Sequence, residues 1–152
     1  TFLFPFINAL ILLKLGKISS LSMENASERT TPYIGAVIYY FALFFLFNSS
    51  EMVLHIFKSI VLGAAISVLL TFLINFRWKI SAHMTGVGGV AGAVLGIFYR
   101  LQIDIIAVLL IIILIAGIIA YARLKLRAHT PMQVYTGFLV GFLVEFLAVI
   151  FY

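Results

Sequence analysis

The amino-acid sequence predicts an all-α fold, a polytopic transmembrane bundle of about six helices, and three observations carry that reading. Of the 152 residues, 64% are hydrophobic and only 10% charged, with a mean hydropathy of +1.23, against about 45–50% apolar and about 25% charged in a soluble domain. A 16.9 kDa globule could not hide so many apolar side chains and still be wetted by so few charges. The apolar residues also form continuous runs between short polar breaks, without the period-2 alternation of a membrane barrel. Residues 1–152 thus read as one integral membrane domain. Disorder, a disulfide scaffold and a basic nucleic-acid binder are excluded, because apolar content is high, cysteine is absent and the net charge is only +5.

The runs follow in order. The first, 1–16, is apolar from its second residue and meets Lys14 early, so it reads as a truncated or only partly covered helix. A signal peptide is the competing reading, but it would carry its positive charge ahead of the apolar stretch, and Lys14 and Lys17 come after it. The second and fourth, 33–47 and 84–99, fall short of the roughly 20 residues a span needs, so their ends are expected to extend into the flanking loops. The third, fifth and sixth cover 52–75, 104–122 and 131–152. Within the fourth, Thr85 to Gly92 imitates a nucleotide fingerprint, yet no strand precedes it and no Gly-Lys-Ser/Thr follows. Gly88, Gly92 and Gly96 recur every four residues, the spacing of small-residue helix packing in lipid.

Helix parity places segments 14–32, 76–83 and 123–130 on one membrane face. They hold Lys14, Lys17, Arg29, Arg77, Lys79, Arg123, Lys125 and Arg127, eight of the ten cations, so the positive-inside rule makes that face cytoplasmic. In a prokaryote the membrane would be the inner one. Each of these segments also opens a helix. Thr31-Pro32 and Thr130-Pro131 offer a capping hydroxyl followed by proline, and Ser81 is expected to cap the fourth run. Three helix N-termini beside arginines make a site for a phosphate-like anion, with His83 and His129 next to it. Taken singly, each histidine could be an ordinary interfacial residue.

Ser81-Ala-His83 resembles the second signature of the type 2 phosphatidic acid phosphatase (PAP2) superfamily, Pro-Ser-Gly-His. The stretch Ala122 to Gln133 is similar to the third, Ser-Arg-x5-His-x3-Asp, through Arg123 and His129. The resemblance implies a PAP2-like membrane phosphatase that hydrolyses a lipid or polyprenyl phosphate monoester or pyrophosphate. No cofactor is expected, and no metal, because the two histidines with Glu24 or Glu28 lack metal-ligand spacing. The resemblance also implies His129 as nucleophile forming a phosphohistidine, and His83 as the acid and base that serves the leaving group and then water. Arg123, Ser81 and Arg29 would hold the phosphoryl oxygens.

The chain departs from the signatures, the first of which reads Lys-x6-Arg-Pro and is met only by Arg29, with two threonines between it and Pro32. Ser22 stands where the first has Lys, Ile80 replaces Pro, Ala122 replaces Ser, and Gln133 replaces the Asp that orients the nucleophile. Gln133 can accept a hydrogen bond from His129 but brings no charge, and its amide can flip and select the wrong tautomer. It also completes a Thr-x-x-Gln capping box with Thr130. These departures support a second reading, a catalytically impaired relative that binds anionic lipid headgroups or serves as a structural membrane subunit. Arg29 has an alternative role too, pairing with Glu24 or Glu28. Lys125 and Arg127 read as topology determinants or headgroup contacts. Glu145 lies twelve residues past Gln133, roughly 18 Å along a helix, too far for the phosphate chemistry. A carboxyl there needs a partner, and Lys58 on the third run is the one the sequence offers.

Overall fold

The computed structural model describes residues 3–16, 29–104 and 106–152. Ser22, Glu24 and Glu28, together with Lys17, lie outside the described residues. Among the described residues, six helices follow in order: α1 (Leu3–Lys14), α2 (Thr30–Asn48), α3 (His55–Asn75), α4 (Ala82–Leu101), α5 (Ile106–Lys125) and α6 (Pro131–Phe151). The five from α2 to α6 are each long and apolar enough to cross a membrane, and the protein is a multi-pass integral membrane protein. The 12 residues of α1 rise only about 18 Å, short of a hydrocarbon core of about 30 Å. The second and fourth apolar runs do extend into their flanks, giving helices of 19 and 20 residues.

The centre of the bundle is α4 against α6, with α3 packed beside both. Backbones approach closely there because glycines meet main chain. A Cβ on Gly88 or Gly92 would strike the Phe138 or Phe142 carbonyl, and one on Gly141 would strike the Thr85 carbonyl. The four-residue glycine spacing is therefore a packing face, as it reads in the sequence. Along α3, Ser59, Gly63, Ser67, Thr71 and Asn75 recur at the same spacing and are all buried. By contrast α5 buries only Ala116, so its leucines and isoleucines face outward, where lipid is the solvent.

The expected Lys58–Glu145 pair does not form. Lys58 Nζ donates to the Asn48 carbonyl at 3.3 Å, at the carbonyl end of α2, where a cation complements the helix dipole. The Glu145 carboxyl sits instead against Gly63, five residues further along α3. That offset is about 7–8 Å along the helix axis, more than a hydrogen bond can cross. Arg100 takes a role like that of Lys58, donating through Nη1 to the Val149 carbonyl at 2.9 Å near the end of α6. At the same end the Tyr152 hydroxyl donates to Asn48 Oδ1 at 2.6 Å, which ties α6 to α2.

Two helix starts also differ from expectation. In α2 the helix begins at Thr30, and Arg29 occupies the N-cap in αR conformation without a side-chain cap. Thr31 is therefore inside the first turn, where Pro32 is still tolerated because no intrahelical amide bond is lost. Ser81 is the N-cap of α4 with extended backbone but makes no capping hydrogen bond with its side chain. Only α6 starts as read, with Thr130 at N-cap and Pro131 just inside.

Candidate active site

The starts of α2, α4 and α6 bring their polar residues to one end of the bundle, and the α5–α6 connection explains how. Two residues past the end of α5, Arg127 has a φ of 49°. The Ala128 amide donates to the Arg123 carbonyl at 3.1 Å and the Arg127 amide to the Leu124 carbonyl at 2.9 Å. Those two bonds with a left-handed residue between them form a Schellman motif. It stops α5 one turn after Arg123 and delivers His129 directly to the α6 N-cap at Thr130, so the Arg-x5-His spacing has a backbone cause.

His129 is buried, with 8% of its surface exposed. Its Nδ1 lies 3.1 Å from Gln133 Oε1. The same oxygen accepts the Thr130 amide at 3.1 Å, while Thr130 Oγ1 accepts the Gln133 amide at 3.4 Å. The capping box is complete, and it answers the question of the amide flip. A backbone N–H only donates, so the group that meets it must be the Gln133 oxygen, and that oxygen can only accept from His129. In the neutral ring the proton is then on Nδ1 and the lone pair on Nε2. Capping and orientation are served by one side chain.

Burial lowers the His129 pKa below its ordinary value, opposed by the Gln133 hydrogen bond. The positive charges of Arg29 and Lys79 lower it further, and the Lys79 backbone opposes them. His83, on the first turn of α4, is exposed, and the guanidinium groups of Arg123 and Arg29 are near enough to act on its charge. Arg29 therefore lies within electrostatic reach of both histidines, and it is hydrogen-bonded to Tyr33. Its proposed partners Glu24 and Glu28 are outside the described residues.

The second and third motifs are joined through backbone. The Ser81 amide donates to the Gln133 carbonyl at 3.3 Å, and the Ser81 carbonyl accepts the Thr85 amide at 2.9 Å. Gly137 makes room for this approach, since a Cβ there would lie 2.7 Å from the Ser81 carbonyl oxygen. Ile80 and Ser81 are both fully buried. Ser81 Oγ and Arg123 Nε are buried polar atoms without a hydrogen-bond partner. In water-poor surroundings each such group costs about 1–3 kcal/mol, a cost an anionic ligand would remove.

Lys79 is a residue the sequence reading counted only for topology. With Arg127, His129, Thr130 and Gln133 it lines an open depression of about 530 Å³ at the α6 start. Its position two residues before Ser81 was the available signal. Ser81, His83 and Arg123 do not line this depression. Lys125 is turned elsewhere, its Nζ 5.6 Å from the centre of the Tyr121 ring.

Among the described residues, no group of three or more His, Cys, Asp or Glu side chains could hold a metal ion. Comparison with curated proteins and with solved structures finds no match. A family model described as the PAP2 superfamily matches residues 75–152, just over half of the 152-residue chain. The match runs from the end of α3 through α6 and takes in both motifs with the backbone that joins them, and the chain belongs to the PAP2 superfamily.

Proposed function

We propose that the chain is a membrane phosphatase that hydrolyses a lipid or polyprenyl phosphate monoester or pyrophosphate through a phosphohistidine on His129. The observation that carries this reading is the pair of buried, unpartnered polar groups, Arg123 Nε and Ser81 Oγ, on helix ends that also bear the histidines. They are hydrogen-bond groups preorganised for phosphoryl oxygens, the arrangement that contributes most when water is excluded. Arg29 adds positive charge within reach of both rings. The substrate's tails would stay in the bilayer while the headgroup enters at the helix starts.

In the first step the His129 Nε2 lone pair forms a bond to phosphorus as the bond to the leaving oxygen breaks, and His83 gives that oxygen its proton. In the second, His83 takes a proton from water, the resulting hydroxide attacks phosphorus, and the phosphorus–nitrogen bond breaks to release phosphate and neutral His129. No cofactor enters either step. Gln133 holds the Nδ1 proton but supplies no negative charge for the imidazolium character that develops. In the analogous serine-protease triad, losing that carboxylate costs roughly 10⁴ in rate.

That neutral Gln133 favours a second reading, an impaired relative that binds anionic headgroups or serves as a structural membrane subunit. Phosphate release from a panel of lipid phosphates by the purified chain separates the two. The phosphatase reading expects release that His129→Ala abolishes and that His83→Ala lowers by about 10²–10⁴-fold. Release unaffected by either substitution, or none with retained headgroup binding, rejects it.

A further inference from the structure

A carboxyl that the phosphate chemistry does not use lies inside the bundle. Glu145 on α6 is 6% exposed and sits where α3 and α4 both carry glycine. Its Oε2 occupies the place of a Cβ on Gly63, and its Cγ lies 3.1 Å from the Cβ position of Gly89. Oε2 has no hydrogen-bond partner. The charged groups on the packed helices are engaged elsewhere, Lys58 with the Asn48 carbonyl and Arg100 with the Val149 carbonyl. From α2, Tyr40 is near enough to sense its charge. No titratable residue lies between Lys58 and the end of α3, or between His83 and Tyr99 on α4.

From this carboxyl a file of buried hydroxyls leads toward the phosphate end. Ser67 and Thr71 follow Gly63 at one-turn intervals on α3, about 6 Å apart. Thr71 Oγ1 donates to the Ser67 carbonyl at 2.7 Å and meets Thr85 Oγ1 of α4 at 3.4 Å. Thr85 Oγ1 in turn donates to the Ser81 carbonyl at 3.2 Å. Ser67 is 5% exposed and Ser81 0%, and the hydroxyl oxygens of both lack a partner, as Glu145 Oε2 does. Glu145 Oε2, against Gly63, and Ser67 Oγ one turn further along α3 are orphaned polar atoms inside a membrane bundle, with Ser81 Oγ left for the phosphoryl group, and water is the small partner a carboxyl and a hydroxyl can share. An ionisable side chain inside a membrane, away from any cation, marks a proton or ion route by default.

We propose that Glu145 is a proton-binding site in the membrane interior, in exchange with the phosphate end through water held along Ser67, Thr71, Thr85 and Ser81. The acid passes its proton to water beside Ser67, leaving carboxylate and hydronium, and each further transfer moves one proton to the next water. The occupied state is the neutral acid, which avoids burying an unpaired charge.

Infrared spectra of the full chain in phospholipid nanodiscs test this without reference to phosphate release. At neutral pH, the difference between wild type and Glu145→Gln is expected to show a protonated carboxyl band that shifts on transfer to D₂O. Ser67→Ala and Thr71→Val should each slow that shift by about tenfold, the rate equivalent of one lost hydrogen bond. A carboxylate band in place of the acid band, or exchange equally fast in both variants, overturns the proposal. Should Glu145→Gln fail to fold, wild-type chain treated with a membrane-soluble carbodiimide reads the same state. The carboxyl oxygen adds to the central carbon while the acid proton passes to nitrogen. An adduct at Glu145 supports the proposal, and adducts confined to the other carboxyls of the chain reject it.

Discussion

At the scale of single residues, Gln133 is the side chain on which the chemistry turns. Its amide orientation is dictated by the Thr130 N–H, so in the proposed mechanism the neutral partner still directs the His129 proton to Nδ1. Charge, not geometry, is then what separates this site from one with a carboxylate. Gln133→Glu keeps a Thr-x-x-Glu capping box and places a negative charge at Nδ1. Turnover is expected to rise by at least about tenfold, within the roughly 10⁴ that the charged partner is worth in the triad analogue. Gln133→Leu, which can neither cap nor accept, should lower it, and steady-state phosphate release reads both. The pH profile follows from the direction of the His129 shift. A nucleophile must be neutral, and burial lowers its pKa below the ordinary 6.5. The acidic limb of kcat/KM should therefore fall below pH 6.5 in wild type and move upward in Gln133→Glu, because a carboxylate favours the imidazolium.

At the scale of elements, the seam between α4 and α6 fixes the helix starts that carry the two histidines. Gly88 and Gly92 rest on carbonyls of α6, and Gly141 rests on a carbonyl of α4. Backbone is the neighbour in each case, so a larger side chain cannot be accommodated by a rotamer change. Gly88→Val or Gly92→Val should separate the helices and destabilise the protein by several kcal/mol, at or above the about 1–3 kcal/mol typical of overpacking. Thermal unfolding in detergent checks the loss, and Gly86→Ala, where no atom lies within 4 Å of a Cβ, is the control expected to be near neutral. Local sequence also shows its limits here. The α6 start was legible because Thr130, Pro131 and Gln133 satisfy one another within a single turn. The same Thr-Pro pair at Thr31-Pro32 misled, since the helix begins earlier, at Thr30. Ser81 offered the right hydroxyl at the right place, yet its side chain makes no cap and its amide bonds to the carbonyl of Gln133 on another helix.

For the whole molecule, five spanning helices and the distribution of cations predict how the chain lies in the membrane. With eight of ten cations on the α3–α4 and α5–α6 side or just before α2, the phosphate end is expected to face the cytoplasm. The chain has no cysteine, so single reporters are clean. A cysteine at Arg77 should react with an impermeant thiol reagent only from the cytoplasmic side, and one at Ser50 only from the opposite side. Reversed accessibility would show that the arginines sit there for phosphate and not for topology.

Hydropathy alone determined the number, order and approximate bounds of the helices, because each span must bury its own backbone hydrogen bonds and meet lipid with apolar side chains. Resemblance to the second and third PAP2 signatures brought forward His83, Arg123 and His129, whose spacing is local or set by a single turn. What only the tertiary structure decided are the relations between helices. Glu145 and Lys58 pass each other by more than a helical turn, and Lys79 stands beside His129 although no motif includes it. Such relations depend on axial register and on which backbone carbonyls lie near a side chain. Both are set by how glycines let α3, α4 and α6 approach, a property of packed surfaces that composition and spacing along one chain do not contain.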